Sequence, residues 1–238
     1  RARLLPQTSI ADILPSSKRL TPEQTLINDF VSRMDREEQR TVLQMLHQRF
    51  ANLANNHTRI ALIGLRGAGK TTLGEMLEKE QKLPLVRLTA KIEELAGVST
   101  SEVLNLSGQR GYRRLEEKAL YETLNEYESC CIETGGSIVA EFKGLNILMT
   151  TCIVVWVKTS PEEHMERVIK QGDLRPMMGN EDAMSDLRAI LEERTPYYEQ
   201  AHITLDTTNK TPREAYNELI EKIQQFKADE TNTLEVVS

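Results

Sequence analysis

The 238-residue sequence is poor in the features that mark membrane, secreted and metal-stapled chains. It has no uninterrupted apolar run near the roughly 18 to 20 residues that a membrane-spanning helix needs. No apolar signal segment stands at its start, so a soluble, cytoplasmic protein without a membrane partner is expected. Cysteine is scarce: Cys130, Cys131 and Cys152 are the three, two adjacent and all in β-like apolar runs. That pattern offers neither a disulfide framework nor a zinc spacing, and predicts buried thiols. An excess of positive charge is also missing, with 30 Lys+Arg against 36 Asp+Glu, a net charge of −6. This excludes a chain whose own surface mainly neutralises nucleic-acid phosphates. The sequence opens on Arg1 in place of methionine, which raises the expectation of a further part upstream. What is present is ordinary globular composition, 39% hydrophobic and 28% charged, long enough for one medium domain plus something small.

Charge is unevenly divided. Residues 1–58 hold eight Lys/Arg against six Asp/Glu, a net +2, and residues 59–238 hold 22 against 30, a net −8. The polar, turn-prone Asn55-Asn56-His57-Thr58 marks the boundary. Residues 1–14 read as the end of a small helical unit, closed by Pro15-Ser16-Ser17, and 15–58 as a helical linker. In the linker, Thr21-Pro22-Glu23 predicts a helix start running to about Met34. Asp35 can cap the next helix, in which Val42, Leu43, Leu46, Phe50 and Leu53 recur at helical spacing. That apolar stripe suits packing or dimerisation.

From Arg59 onward strands alternate with helices. Apolar β-rich runs at 60–63, 85–88, 130–133, 152–157 and 203–205 are separated by helical segments at about 70–81, 99–127, 140–149, 161–171, 181–199 and 212–227. Continuous hydrophobic strands flanked by helices imply a parallel sheet covered on both faces, an α/β fold. The domain is expected over 59–227, with a polar, frayed tail over 228–238.

The sharpest motif is Gly64-Leu65-Arg66-Gly67-Ala68-Gly69-Lys70-Thr71, which fits G-x4-G-K-[ST] directly after a strand and is continued by Thr72 into a helix. Glycines let backbone N–H groups close round a phosphate and the helix N-terminus adds its positive end. Lys70 can reach the outer phosphates and Thr71 can ligate Mg²⁺. The plain alternative is a glycine turn with a surface lysine. Chance alone gives the pattern in roughly one such chain in a hundred before context is counted.

A second constellation comprises Gly111-Tyr112-Arg113-Arg114-Leu115-Glu116, Glu133-Thr134-Gly135-Gly136-Ser137, the glycine-bounded 172–180 with Arg175, and Glu193-Arg194-Thr195-Pro196-Tyr197-Tyr198. In an open α/β sheet the carboxyl ends of the strands form the binding crevice, where Gly135 and Gly136 permit close backbone approach. Each arginine alone reads as a solvated charge. Together with the phosphate loop they form an anion site of fork-shaped donors.

Over 59–227 these segments resemble the shikimate kinases, P-loop kinases of the nucleoside monophosphate kinase type, through GLRGAGKT, GYRRLEEKAL, IETGGS, RPMM and ERTPYY. The resemblance implies a P-loop NTPase fold with a five-stranded parallel sheet flanked by helices, and ATP with Mg²⁺ as cofactors. It also implies that Arg113, Gly135, Gly136 and Arg194 hold the carboxylate and hydroxyls of shikimate, and that Arg175 faces the transferred phosphate. After the second strand the family has Asp-x-Asp, one aspartate serving magnesium and the other the substrate hydroxyls. Here Arg87 and Thr89 stand at those positions. General-base help is worth about 10²–10⁴ in rate, so the departure weighs against a competent kinase.

Further runs, TSPEEHMERV, QGDLRPMMGN and AMSDLRAIL, resemble the benzoyl-CoA-responsive transcriptional regulators of the BzdR/BoxR type, which join a helix-turn-helix, a helical linker and a shikimate kinase-like effector domain. That resemblance implies a homodimeric repressor of aromatic degradation that reads operator DNA through an N-terminal helix-turn-helix domain, of which residues 1–14 would be the last helix, and releases it on binding benzoyl-CoA. Either CoA phosphates or ATP would then occupy Gly64, Gly67, Ala68, Gly69, Lys70, Thr71 and Thr72. The effector would meet Arg87, Thr89, Arg113, Gly135, Gly136, Arg175 and Arg194, with Tyr112, Met177 and Met178 lining an apolar pocket. Loss of acids at 87 and 89 would remove repulsion toward a polyanion. The 172–180 segment would close as a lid, and His164 is expected on a helix surface. The alternative reading is a shikimate kinase or a related ATP-dependent small-molecule kinase.

Overall fold

A computed structural model of the chain describes residues 21–51, 59–140, 142–170 and 183–237. The chain divides into two compact units, Arg1–Leu46 and His47–Ser238. Among the described residues no helix is long and apolar enough to cross a membrane.

The first unit contains helix α1 (Pro22–Ser32) and most of α2 (Arg36–Ala51), which runs across the division. Pro22 occupies the first helical position as expected, but α1 stops at Ser32, short of Met34. Asp35 caps α2: its Oδ1 accepts from the N–H groups of Glu37 (2.8 Å) and Glu38 (2.9 Å), and Glu38 Oε2 accepts from Asp35 N–H (2.9 Å). Gln39 closes the turn by donating to the carbonyls of Val31 (2.9 Å) and Met34 (3.1 Å). Residues 1–14, Leu53, and the side chains of Leu43 and Phe50 lie outside the described set.

In the second unit five strands, β1 (Arg59–Ile63), β2 (Leu85–Arg87), β3 (Cys130–Glu133), β4 (Ile153–Lys158) and β5 (Ile203–Asp206), form one parallel sheet in the order β2-β3-β1-β4-β5. Alternation along β1 divides the core. Ile60 and Leu62 pack with Leu73 and Leu77 of α3 (Lys70–Gln81) and with Leu219 and Ile223 of α9 (Pro212–Val237). Ala61 and Ile63 pack on the opposite face. There they meet α4 (Leu88–Ala96), α5 (Thr100–Glu126), α6 (Phe142–Thr151) and α8 (Ala183–Tyr198) through Leu88, Ile92, Leu120, Leu148 and Tyr198. The three cysteines are buried free thiols, all with pKa raised by burial.

Three details depart from the sequence pattern. Helix α4 begins where β2 was expected to continue. The tail beyond Ala228 stays helical to Val237. α5 is broken at Gly108, where φ is +61° and ψ −172°.

Candidate active site

The phosphate loop joins β1 to α3. Gly64 has φ +135°, and a Cβ there would meet the Val157 carbonyl oxygen at 2.2 Å, so no other residue fits. Gly69 at φ +103° caps α3 with nothing within 4 Å of a Cβ position. Lys70 is 6% exposed, and its Nζ donates to the carbonyls of Gly64 and Leu65, both at 2.8 Å. Burial pulls its pKa down to about 8, with Glu133 opposing the shift and Arg66 adding to it. Thr71 donates from Oγ1 to Glu133 Oε1 at 2.5 Å.

Outside the loop lies a cavity of about 400 Å³ that sequence reasoning missed. Gly69 and Thr72 line it together with Arg167 and Lys170 of α7 (Pro161–Lys170) and with Lys210 and Pro212 after β5. Thr207 anchors this wall by donating to the Ala68 carbonyl (3.1 Å), and Arg167 donates to Thr207 Oγ1 (3.1 Å). Proximity of residues 68 and 207 follows from the β1-β4-β5 order, so no local pattern shows it. His164, expected on a helix surface, is instead buried against the loop. A Cβ on Gly67 would lie 3.6 Å from His164 Nδ1, and burial, then the Lys70 and Arg167 charges, lowers the imidazole pKa to about 4.

On the other side of the loop the β3 end brings several expected residues together. A Cβ on Gly135 would stand 3.6 Å from Tyr112 Oη and 3.9 Å from Thr89 Oγ1. Gly136 adjoins the phosphate loop, 3.4 Å from Leu65 Cα by the same measure. Its carbonyl accepts from Arg194 Nη1 (3.0 Å) and Tyr198 Oη (2.8 Å), and Tyr198 stacks on Trp156 at 5.5 Å. Arg194 Nε is buried with no hydrogen-bond partner. Arg113 pairs with Glu116 (Nη1 to Oε2, 2.5 Å) and lies over the Tyr112 ring, itself a core residue at 7% exposure. Arg87 ends β2 and pairs with Glu75 at 2.6 Å. Arg175, Met177 and Met178, with the expected lid, lie outside the described residues.

A bound Mg²⁺ fits this donor set. Thr71 supplies a hydroxyl, and Glu133 Oε2 is buried without a hydrogen-bond partner beside it.

The shikimate kinase family model matches residues 66–224. A shikimate kinase of Legionella pneumophila (strain Corby) is 35% identical over 162 residues, which span 68% of this chain and 91% of that protein. A solved shikimate kinase from Acinetobacter baumannii, in complex with shikimate, is 27% identical, with a TM-score of 0.64 over 74% of this chain and 97% of that one. The shikimate kinase of Bacteroides thetaiotaomicron is 29% identical, also with a TM-score of 0.64, over 70% and 98% of the two chains.

These findings overturn the expected benzoyl-CoA-responsive repressor: family, relatives and solved neighbours are kinases, and none of them supports an acyl-CoA effector. The repressor reading leaned on the vacated carboxylates at 87 and 89. In the folded sheet a carboxylate does stand by the phosphate loop, at Glu133, the register partner of Arg87 on the neighbouring strand. Sequence, strand order and phosphate loop agree with the match over residues 66–224, and the chain belongs to the shikimate kinase family, whose members use ATP and Mg²⁺.

Proposed function

We propose that this chain is an ATP-dependent kinase of a small hydroxylated carboxylate, with shikimate the first acceptor to test. The observation that carries the reading is the Gly135-Gly136 turn. One of its glycines faces Thr89 and Tyr112 while the other lies against Leu65 and Arg66 of the phosphate loop, so a donor site and an acceptor site share one backbone seam. Such an edge suits transfer between two bound molecules held in contact.

On the donor side the amides of the loop and Lys70 hold the phosphates, Thr72 faces the 400 Å³ cavity, and Arg167, Lys170 and Lys210 border the space for the nucleoside. Nucleotide exchanges the two carbonyl contacts of Lys70 for phosphate oxygens. Bound Mg²⁺ supplies the positive charge that offsets that of the phosphates. On the acceptor side Arg113 and Arg194 supply guanidinium donors for a carboxylate, and Arg194 Nε carries an unused hydrogen. Thr89 places a hydroxyl where the family resemblance calls for the aspartate that activates the attacking group. Phosphoryl transfer rests mostly on positioning and electrostatics, so the expected enzyme is slow rather than dead.

Calorimetry with ATP, followed by a coupled assay of ADP release with shikimate and a panel of hydroxy acids, tests this. Binding of ATP and acceptor-dependent ADP release are expected. No nucleotide binding, or binding with no acceptor-dependent turnover across the panel, would overturn it.

A further inference from the structure

The carboxylate beside the phosphate loop sits on an unexpected strand. Glu133 ends β3, its Oε1 accepts from Thr71 at 2.5 Å, and its Oε2 is buried without a hydrogen bond. Arg87 is its register partner on β2, yet Arg87 Nε stays 3.6 Å from that oxygen, beyond hydrogen-bond reach. Arg87 therefore forms only an ion pair with Glu133, while Glu75 on α3 takes its hydrogen bond at 2.6 Å, and Arg87 remains half exposed. A buried carboxylate oxygen left without a donor is costly, and the pair of Glu133 and Thr71 is a hard-oxygen donor set without nitrogen or sulfur.

We propose that Glu133 and Thr71 together form the divalent-cation site of this chain, with the acidic group supplied from β3 in place of the β2 carboxylates that Arg87 and Thr89 replace. Mg²⁺ suits such a site because it takes one or two carboxylates, keeps several waters, and completes its shell with nucleotide phosphates. Arg87 is then a neighbour whose charge is drawn off by Glu75, not a ligand of the phosphates. This inference rests on nucleotide binding at the phosphate loop.

The test measures affinity for a non-hydrolysable ATP analogue by calorimetry, with and without Mg²⁺, alongside Mn²⁺ binding by electron paramagnetic resonance. Wild type is expected to bind the analogue without metal and at least about tenfold more tightly with Mg²⁺. Glu133→Gln binds the metal-free analogue at least as tightly as wild type, because a negative charge beside the phosphates is gone, and loses that increment together with the Mn²⁺ signal. Glu133→Asp retains part of both, which separates a ligand role from a folding defect, and Arg87→Met leaves both in place. A Glu133→Gln protein that keeps the full Mg²⁺ increment overturns the site. So does a wild type indifferent to Mg²⁺ whose analogue binding disappears in Arg87→Met, since Arg87 is then the cation in use. Failure of wild type to bind the analogue under either condition removes the nucleotide reading, and this inference with it.

Discussion

The two sides of the Gly135-Gly136 seam are made of different material. The phosphate loop works through its backbone: glycines at φ +135° and +103°, a helix start, and one buried lysine. The proposed acceptor side is instead a set of individual side chains, Thr89, Arg113 and Arg194, on three separate helices. A backbone cradle tolerates any neighbouring side chain that preserves its path, whereas a side-chain site changes its chemistry with one substitution. Donor binding should therefore be robust in this chain and acceptor chemistry tunable.

The contrast can be broken or sharpened in order of effect. Lys70→Ala removes the buried cation of the donor side, and turnover should fall by about 10²–10³. A loss under threefold would show that the backbone alone suffices. Thr89→Asp restores a carboxylate to the acceptor side, in the first turn of α4 where the helix dipole favours it. Turnover of shikimate should rise by about 10², and no rise would mean that a base is not what this side lacks.

Proton linkage gives a middle-sized effect. Free Lys70 titrates at about 8, so ATP affinity should drop about tenfold between pH 7 and pH 9, with proton uptake visible in buffers of different ionisation heat. In stability terms the unfolded chain keeps this proton to about pH 10.5 while the folded state gives it up near 8. The group therefore makes folding more favourable as pH rises across that window. A flat affinity profile would place the lysine in a wetter site. The smallest change is Arg194→Lys, which weakens the bond to the Gly136 carbonyl and should raise the acceptor KM about fivefold while leaving that for ATP alone. An equal shift in both would move Arg194 out of the acceptor site.

Much of this was legible before folding, for reasons the residues make plain. The phosphate loop shows because its glycines and lysine are local in sequence, and the strands show because parallel strands buried on both faces are continuously apolar. Helix α4 does not show, since Arg87 at its N-cap offers no side-chain bond and Leu88 reads equally well as the end of β2. His164 reads as a surface residue because only it and Val168 are buried on α7, which also carries Glu162, Glu163, Glu166, Arg167 and Lys170. The cavity wall at 207–212 and the pairing of Glu133 with Arg87 depend on strand order and register, which no window of sequence contains. The motif named the loop, and only the sheet revealed which acid stands beside it.

The contacts of Lys70 with the Gly64 and Leu65 carbonyls have a further consequence. The loop is wound around its own lysine, so its conformational entropy is lost when the chain folds and not when nucleotide arrives. Nucleotide then meets a rigid receptor with a plug to displace. Binding should register as an exchange of partners with little ordering, and amide hydrogens of the loop should be slow to exchange even before any ligand is added.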